Sequence, residues 1–298
     1  MVESNSNQAD LTSAPPRVSE WQRFVKAFFQ RRIVIFGLLI LVILGFTAIF
    51  ADWLAPYNPY KQDLRSILKQ PSRAHLLGTD SVGRDTLSRL IYGSRTTLIV
   101  GFFSAGISAS IGITLGILAG YFGGIINMII MRLTDVLMSF PMLVLALLFA
   151  AVLGGGIHNV VLALGIAMLP VYIRVACGMT LSIREDDFIL AERAMGASHL
   201  RIMLRHILPN AFAPIIVIIT LQLGFLILSE AALSFLGVGI RPPGAAWGAM
   251  VNEGYRFLVK IPILSFAPGA AIMLVVFAFN MVGDALRDAL DPRLRGTL

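Results

Sequence analysis

The stretch TTLIVGFFSAGISASIGITLGILAGYFGGIINMIIM, residues 96–131, runs for 36 positions between Arg95 and Arg132 without one charged side chain. A helix needs about 20 apolar residues to cross the hydrocarbon of a bilayer, and a run of 18 or more is a candidate span. Four further uncharged runs flank it: 19 residues between Arg32 and Asp52, 38 between Asp135 and Arg174, 24 between Arg205 and Glu230, and 23 between Lys260 and Asp284. Over all 298 residues the chain is 57% hydrophobic and 14% charged, against about 25% charged for a soluble domain. Its mean hydropathy is +0.80. In lipid only helices and closed barrels satisfy their own backbone groups, and these runs lack the two-residue alternation of a barrel strand. The sequence specifies an all-α membrane protein.

Two runs are too long for one crossing. Clustered glycines at 120–124 and 154–156 divide them, because glycine loosens a helix and supports tight turns. Six spans are then expected near residues 33–51, 96–120, 126–152, 158–178, 211–235 and 263–283. Pro141, Pro170, Pro214 and Pro268 fall inside or at the edges of the last four, where a bundle tolerates proline or uses it as a kink. The first span follows 32 residues, lacks a small-residue cleavage pattern and ends in Ala51-Asp-Trp53, so it reads as a retained anchor rather than a signal peptide. The organisation is a cytoplasmic tail 1–32 whose first 20 residues have a disordered composition, an anchor 33–52 and an extracytoplasmic segment 53–95. A core over 96–283 with a cytoplasmic loop 180–210 follows, and then a cytoplasmic tail 284–298.

Orientation follows from basic residues at the span ends. Arg17, Arg23, Lys26, Arg31 and Arg32 precede the first span, four arginines lie in 184–205, and three follow the last span. These favour cytoplasmic termini. Segment 53–95 holds seven Lys/Arg and argues the other way, but the rule weakens as loops lengthen. The net charge of +7 is spread along loops rather than massed on one face, which excludes a nucleic-acid footprint and leaves lipid as the surrounding partner.

Catalytic constellations are absent. There is no G-x-x-x-x-G-K-[ST] phosphate loop, no H-E-x-x-H and no paired Cys-x-x-Cys. Of His75, His158, His199 and His206, only the last two sit at helical spacing, seven apart and without a clear third ligand. Cys177 is alone and reads as packing. No metal, cofactor or active site is expected in this chain.

The polar segment Arg184–Asn210 carries more information. Glu185, Asp186 and Asp187 stand where a helix N-terminus favours negative charge. Gly196 interrupts the helical pattern, and Ser198 is placed to cap a second helix. In that helix Leu200, Met203, Leu204 and Ile207 recur at helical spacing, with Arg201 and Arg205 on another face, and Pro209 marks the passage into the next span. Two readings fit these residues: an amphipathic loop resting on the membrane, or a helix–glycine–helix elbow that a partner grips. Elsewhere, Arg132 and Asp135 are three apart on one helix and close enough to pair. Glu230 has no basic residue after it before Arg241, so it faces a translocation path, a partner or a satisfied interior.

Ala191-Glu-Arg-Ala-Met-Gly196, followed by Ile207-Leu-Pro209, resembles the signature loop of bacterial ABC-importer permeases: Glu-Ala-Ala, three residues, Gly, nine residues, Ile, one residue, Leu-Pro. Ala191, Gly196, Leu208 and Pro209 agree with it, whereas Leu190, Glu192 and His206 depart from it. The resemblance implies that Ala191, Glu192, Arg193, Ala194, Gly196, Ala197, Ser198, Arg201, Leu208 and Pro209 dock on an ATPase. A second signature, Leu77-Gly-Thr-Asp-Ser-Val-Gly-Arg-Asp85 through Arg95, with Gly78, Asp80, Gly83, Arg84 and Asp85, resembles the segment before the second span of dipeptide and oligopeptide permeases. These are C-type subunits, which also serve glutathione and nickel importers. Met131-Arg-Leu-Thr-Asp135, Ala231–Gly237, Pro242-Pro243 with Trp247-Gly248, and Phe279–Pro292 match as well.

By that resemblance the chain is a non-catalytic permease of the type I importer fold in a bacterial inner membrane. It forms a heterodimer with a homologous permease, is driven by two ATPase chains that carry ATP and Mg, and is fed peptides by an extracytoplasmic binding protein. Arg132, Asp135 and Glu230 are its candidate path residues. A stand-alone secondary transporter would need a repeat or a proton-relay carboxylate, and no persuasive repeat is found.

Overall fold

Gly112, Gly116 and Gly120 recur every four residues, a stripe without side chains along one face of a helix, and that stripe sets the central contact of the bundle. The computed structural model describes residues 19–290. Its helices are α1 (Glu20–Phe28), α2 (Ile33–Ile49), α3 (Ala51–Leu54), α4 (Thr86–Phe122), α5 (Gly124–Met138), α6 (Met142–Leu153), α7 (Ile157–Arg184), α8 (Asp187–Ala194), α9 (His199–Ile202), α10 (Leu208–Phe235), α11 (Trp247–Tyr255) and α12 (Ile263–Leu290). Among the described residues no strand forms; Thr79 and Asp85 make an isolated bridge.

α4 and α7 share the most extensive contact of any helix pair. A Cβ placed on Gly112 would stand 2.6 Å from Tyr172 Cβ, one on Gly116 2.5 Å from the Ile173 carbonyl oxygen, and one on Gly120 2.7 Å from Thr180 Cβ. The two backbones therefore touch. Lipid is as apolar as leucine, so helices in a bilayer associate through close van der Waals packing rather than through escape from water, and small residues allow that approach. Around this pair Val100, Leu164, Met168, Tyr172, Leu226 and Ile227 are buried in one apolar core.

α4, α7, the continuous helix His199–Phe235 and α12 are each long and apolar enough to cross a membrane. α5 and α6 make a fifth crossing if the bent pair is one span, and α2, with 17 residues, is a shorter apolar helix. The architecture matches the expected helical bundle, and four details differ. The span expected over 126–152 is broken, with α5 and α6 meeting at 91°. Pro141 causes the break, since it lacks an N–H and pushes Phe140 out of the helical region.

α4 begins at Thr86 rather than Thr96, so the segment expected to end at Arg95 already closes in a helix. Asp85 starts that helix by accepting the Ser88 N–H at 2.8 Å and the Ser88 hydroxyl at 2.7 Å, an N-cap. At 37 residues and 1.5 Å per residue, α4 is about 55 Å long and projects beyond a hydrocarbon layer of about 30 Å.

Pro209 does not divide two helices. α9 runs into α10 through a π-helical turn, Met203–Ile207, and the Asn210 side-chain amide donates to the His206 carbonyl at 2.7 Å, taking up one carbonyl of the disturbed turn. The wider turn gives room to a ring that would clash in a regular helix. Finally, α1 lies within the expected tail 1–32. Residues 1–18 of that tail, and 291–298 of the last one, lie outside the described residues.

Candidate functional site

Two caps placed back to back build the elbow between α7 and α10. At the end of α8 the Gly196 N–H donates to the Arg193 carbonyl and the Ala197 N–H to the Glu192 carbonyl, both at 3.0 Å, with Gly196 at φ 81°. This is a Schellman ending, which places a left-handed residue just past the helix, a conformation costing other L-residues roughly 1–2 kcal/mol. Ser198 then opens α9, its hydroxyl oxygen accepting the Arg201 N–H at 3.4 Å. The N-cap expected at Ser198 and the break expected at Gly196 are both present.

The elbow is tied down from beneath. Ile189, Ile202 and Ile207 are fully buried against Ile117 and Tyr121 of α4 and Ile183 of α7. The Tyr121 hydroxyl lies 2.8 Å from His199 Nδ1, and the Arg193 guanidinium sits 5.2 Å above the Tyr121 ring. Arg184, at the end of α7, donates to the carbonyls of Gly120 and Tyr121 at 3.2 and 3.4 Å, satisfying the open end of α4. His199 and His206 thus take different partners: His206 Nε2 is 3.5 Å from Glu192 Oε1 across the two arms.

Glu192 and His206 are two of the three departures from the signature, and they face each other. When the imidazole is protonated, a pair of this kind contributes about 0.2–1 kcal/mol. At pH 5.5, Glu192→Ala is therefore expected to raise amide hydrogen exchange across 197–203 by up to about fivefold, and unchanged exchange there would show that the pair does not close the elbow.

The outer surface of the elbow is apolar and carries charges of both signs, with Glu185, Asp186 and Asp187 exposed at its start. Leu190, Leu200, Leu204 and Met195 (74% exposed) point outward, alongside exposed Arg193, Arg201 and Arg205. The apolar stripe expected on the second arm splits, since Met203 and Ile207 turn inward with Ile202 while Leu200 and Leu204 turn out. Ala191, Ala194 and Pro209 are exposed, and Ala197 and Leu208 are half-buried.

At the opposite end the second signature folds into a charged knot. Asp80 accepts the backbone N–H groups of Val82 and Arg84 at 3.0 and 2.9 Å and the Arg84 Nε at 2.6 Å. Arg84 Nη2 reaches Glu253 at 3.1 Å. Arg89, 1% exposed, stands 3.5 Å from Asp80 and 3.6 Å from Glu253. Asp85 is 2.9 Å from His75 Nδ1. The knot clamps the start of α4 to α11, and Trp247 adds a hydrogen bond of 2.9 Å to the Leu90 carbonyl. Gly78 and Gly83 lie at the turns of this knot with φ of 73° and 79°. Glu253 was missed in the sequence.

The path candidates separate. Asp135 does not pair with Arg132. It takes Arg174 of α7 at 2.7 Å, with both side chains about half exposed, and Arg132 is exposed as well. Glu230 does not open onto a surface of this chain. It is 1% exposed, accepts the Ser234 hydroxyl at 2.7 Å, and lies where α11 closes on α10: a Cβ on Gly248 would collide with Ala231.

A bent-span helical bundle with a pinned elbow at one end and a charged knot at the other defines a membrane permease. Residues 112–296 match the family described as binding-protein-dependent transport system inner membrane component, and residues 19–71 match the N-terminal TM domain of oligopeptide transport permease C. The chain is 43% identical over 277 residues to the glutathione transport system permease protein GsiD of Escherichia coli O6:K15:H31 and of Shigella boydii serotype 4, covering 93% of this chain and 91% of each relative. Its fold is similar to a chain of the inward-facing MetNI methionine ABC transporter, with TM-score 0.56, 21% identity, and coverage of 68% of this chain and 96% of that one. The chain belongs to the binding-protein-dependent transport system inner membrane component family, as an ABC-importer permease of the peptide and glutathione group.

Proposed function

We propose that this permease forms half of an import path for short peptides, with glutathione the first candidate, and that the elbow at 187–207 is where its motor grips. The observation that carries the reading is the elbow itself. A cap-locked turn, buried underneath and apolar and charged outside, is built to receive a partner and to pass force into α7, α4 and α10. In this reading ATP and Mg are held by two ATPase chains on the cytoplasmic side, where the termini also lie. A homologous permease completes the path, and an extracytoplasmic binding protein delivers solute to the end that carries the Asp80–Arg89–Glu253 knot.

Ala191, Glu192, Arg193, Ala194, Gly196, Ala197, Ser198, Arg201, Leu208 and Pro209 serve this docking either by contact or by shaping the elbow. Asp135, paired to Arg174, and the exposed Arg132 are the path candidates; we read Glu230 as structural. The relatives' 43% identity supports glutathione, itself a tripeptide, over a metal ion.

Reconstitution tests the reading. Vesicles holding this chain with its partner permease, ATPases and binding protein should take up glutathione or short peptides only with ATP, and excess nickel should not compete. Gradient-driven flux by the chain alone would point instead to a secondary transporter.

A further inference from the structure

A polar recess of about 320 Å³ opens beside the top of α2, walled by Asp52, Tyr57, Asn58, Tyr60 and Tyr92. Its position follows from α2, whose outward side chains Leu39, Val42, Phe46 and Ile49 form an exposed apolar face. That face ends at Trp53, which is 83% exposed, with Tyr57 and Tyr60 exposed just beyond it. Aromatic residues capping an apolar helix mark the level of lipid headgroups. The recess is therefore at headgroup height and faces lipid.

Asp52 is the one charged side chain in that wall, and it is paired with Arg95, which stands beside the recess rather than in its wall. The Tyr92 hydroxyl donates to Asp52, and Arg95 Nη2 reaches the other Asp52 oxygen at 3.2 Å. Each carboxylate oxygen has two acceptor positions, and the Asp52 side chain is 62% exposed, so it has acceptor capacity left for an N–H donor. Arg95 spends Nε on the Ala48 carbonyl at 2.9 Å and Nη2 on Ile49 and Asp52, which leaves Nη1 for an anion. The guanidinium also lies 5.5 Å above the Tyr92 ring. One fixed negative and one fixed positive charge, side by side at headgroup level, complement a zwitterion whose cation carries N–H groups.

We infer that this recess binds the phosphoethanolamine headgroup of a membrane phospholipid. The ammonium sits on Asp52 among the tyrosines, and the phosphate sits on Arg95. A choline headgroup has no N–H to donate, and a glycerol headgroup has no cation, so both fit worse. The acyl chains would lie along the exposed face of α2.

The test uses the assembled transporter in nanodiscs of equal phosphatidylethanolamine, phosphatidylcholine and phosphatidylglycerol, with retained lipid read by native mass spectrometry. The wild type should retain phosphatidylethanolamine preferentially. Asp52→Asn should lower that preference by about fivefold, the upper range for an exposed charge pair, and Asp52→Glu should keep it. Soluble phosphoethanolamine should not displace the lipid, since it lacks the chains that lie on α2; displacement would instead assign the recess to a free headgroup compound and overturn the lipid assignment. Equal retention of all three lipids, or an Asp52→Asn variant with unchanged preference, would also overturn it.

Discussion

Replacing Gly196 by proline is expected to abolish uptake while leaving the chain inserted in the membrane. Two physical losses coincide at this residue. Its φ of 81° is closed to proline, whose ring fixes φ near −65°, and its N–H is the one that donates to the Arg193 carbonyl at 3.0 Å. Nothing lies within 4 Å of a Cβ at this site, so the effect is conformational and not a clash. α8 remains anchored through Ile189, and α9 with the π-helical turn after it through Ile202 and Ile207, which should keep the bundle folded and confine the damage to the turn. The incompatible φ and the lost hydrogen bond together cost more than about 1 kcal/mol, concentrated at the turn that sets the angle of the two arms. Uptake and co-purification of the ATPase chains should both fall at least tenfold. Gly196→Asn, which keeps the N–H and tolerates the left-handed region, should retain most of both. Normal uptake by a stably inserted Gly196→Pro chain would sink the proposed role of the elbow.

Gly116→Val is expected to destabilise the bundle itself. A Cβ there would stand 2.5 Å from the Ile173 carbonyl oxygen and 2.6 Å from Ala176 Cβ, and backbone atoms cannot swing aside as a flexible side chain can. α4 and α7 must separate, which opens the most extensive helix contact in the molecule. Overpacking of this kind costs about 1–3 kcal/mol and more where nothing can yield, so the upper end applies. Membrane accumulation should fall severely, and the melting temperature of whatever is purified in detergent should drop by several degrees, in line with about 2–4 °C per kcal/mol for a chain somewhat smaller than this. Gly106→Ala on the same helix, where a Cβ meets nothing within 4 Å, is the control and should be neutral. An unchanged melting temperature for Gly116→Val would show that the two backbones are not in contact.

Charge-free runs made the bundle legible, since a membrane forbids unpaired charge over a fixed length whatever the tertiary structure. Those runs mark the hydrocarbon layer and not the helix. Arg89 and Arg95 hid ten residues of α4, although Asp85-Thr-Leu-Ser88 was a readable cap. The turn at Gly196 and Ser198 was legible because caps are local chemistry. The partner of Arg84 and Arg89 was not, because Glu253 is 169 residues from Arg84 in the chain. Arg174 served only as the border of an uncharged run, and its pairing with Asp135 depends on how α5 turns against α7, which periodicity does not report. The stripe at 112, 116 and 120 was visible at four-residue spacing, yet Gly120 reads equally as the edge of a loop until α7 is seen lying on it.

The glycine contact between α4 and α7 also has a mechanical meaning. Two slender rods that slide past one another bend independently, but rods bonded along their length resist bending as a single thicker beam. Tyr172, Ile173, Ala176 and Thr180 seated over Gly112, Gly116 and Gly120, with Arg184 fastening the ends, give α4 and α7 that bonded character. A push delivered beside Arg184 would then tilt the pair as one stiff girder instead of flexing a single helix, so little of the stroke would be lost before it crosses the membrane.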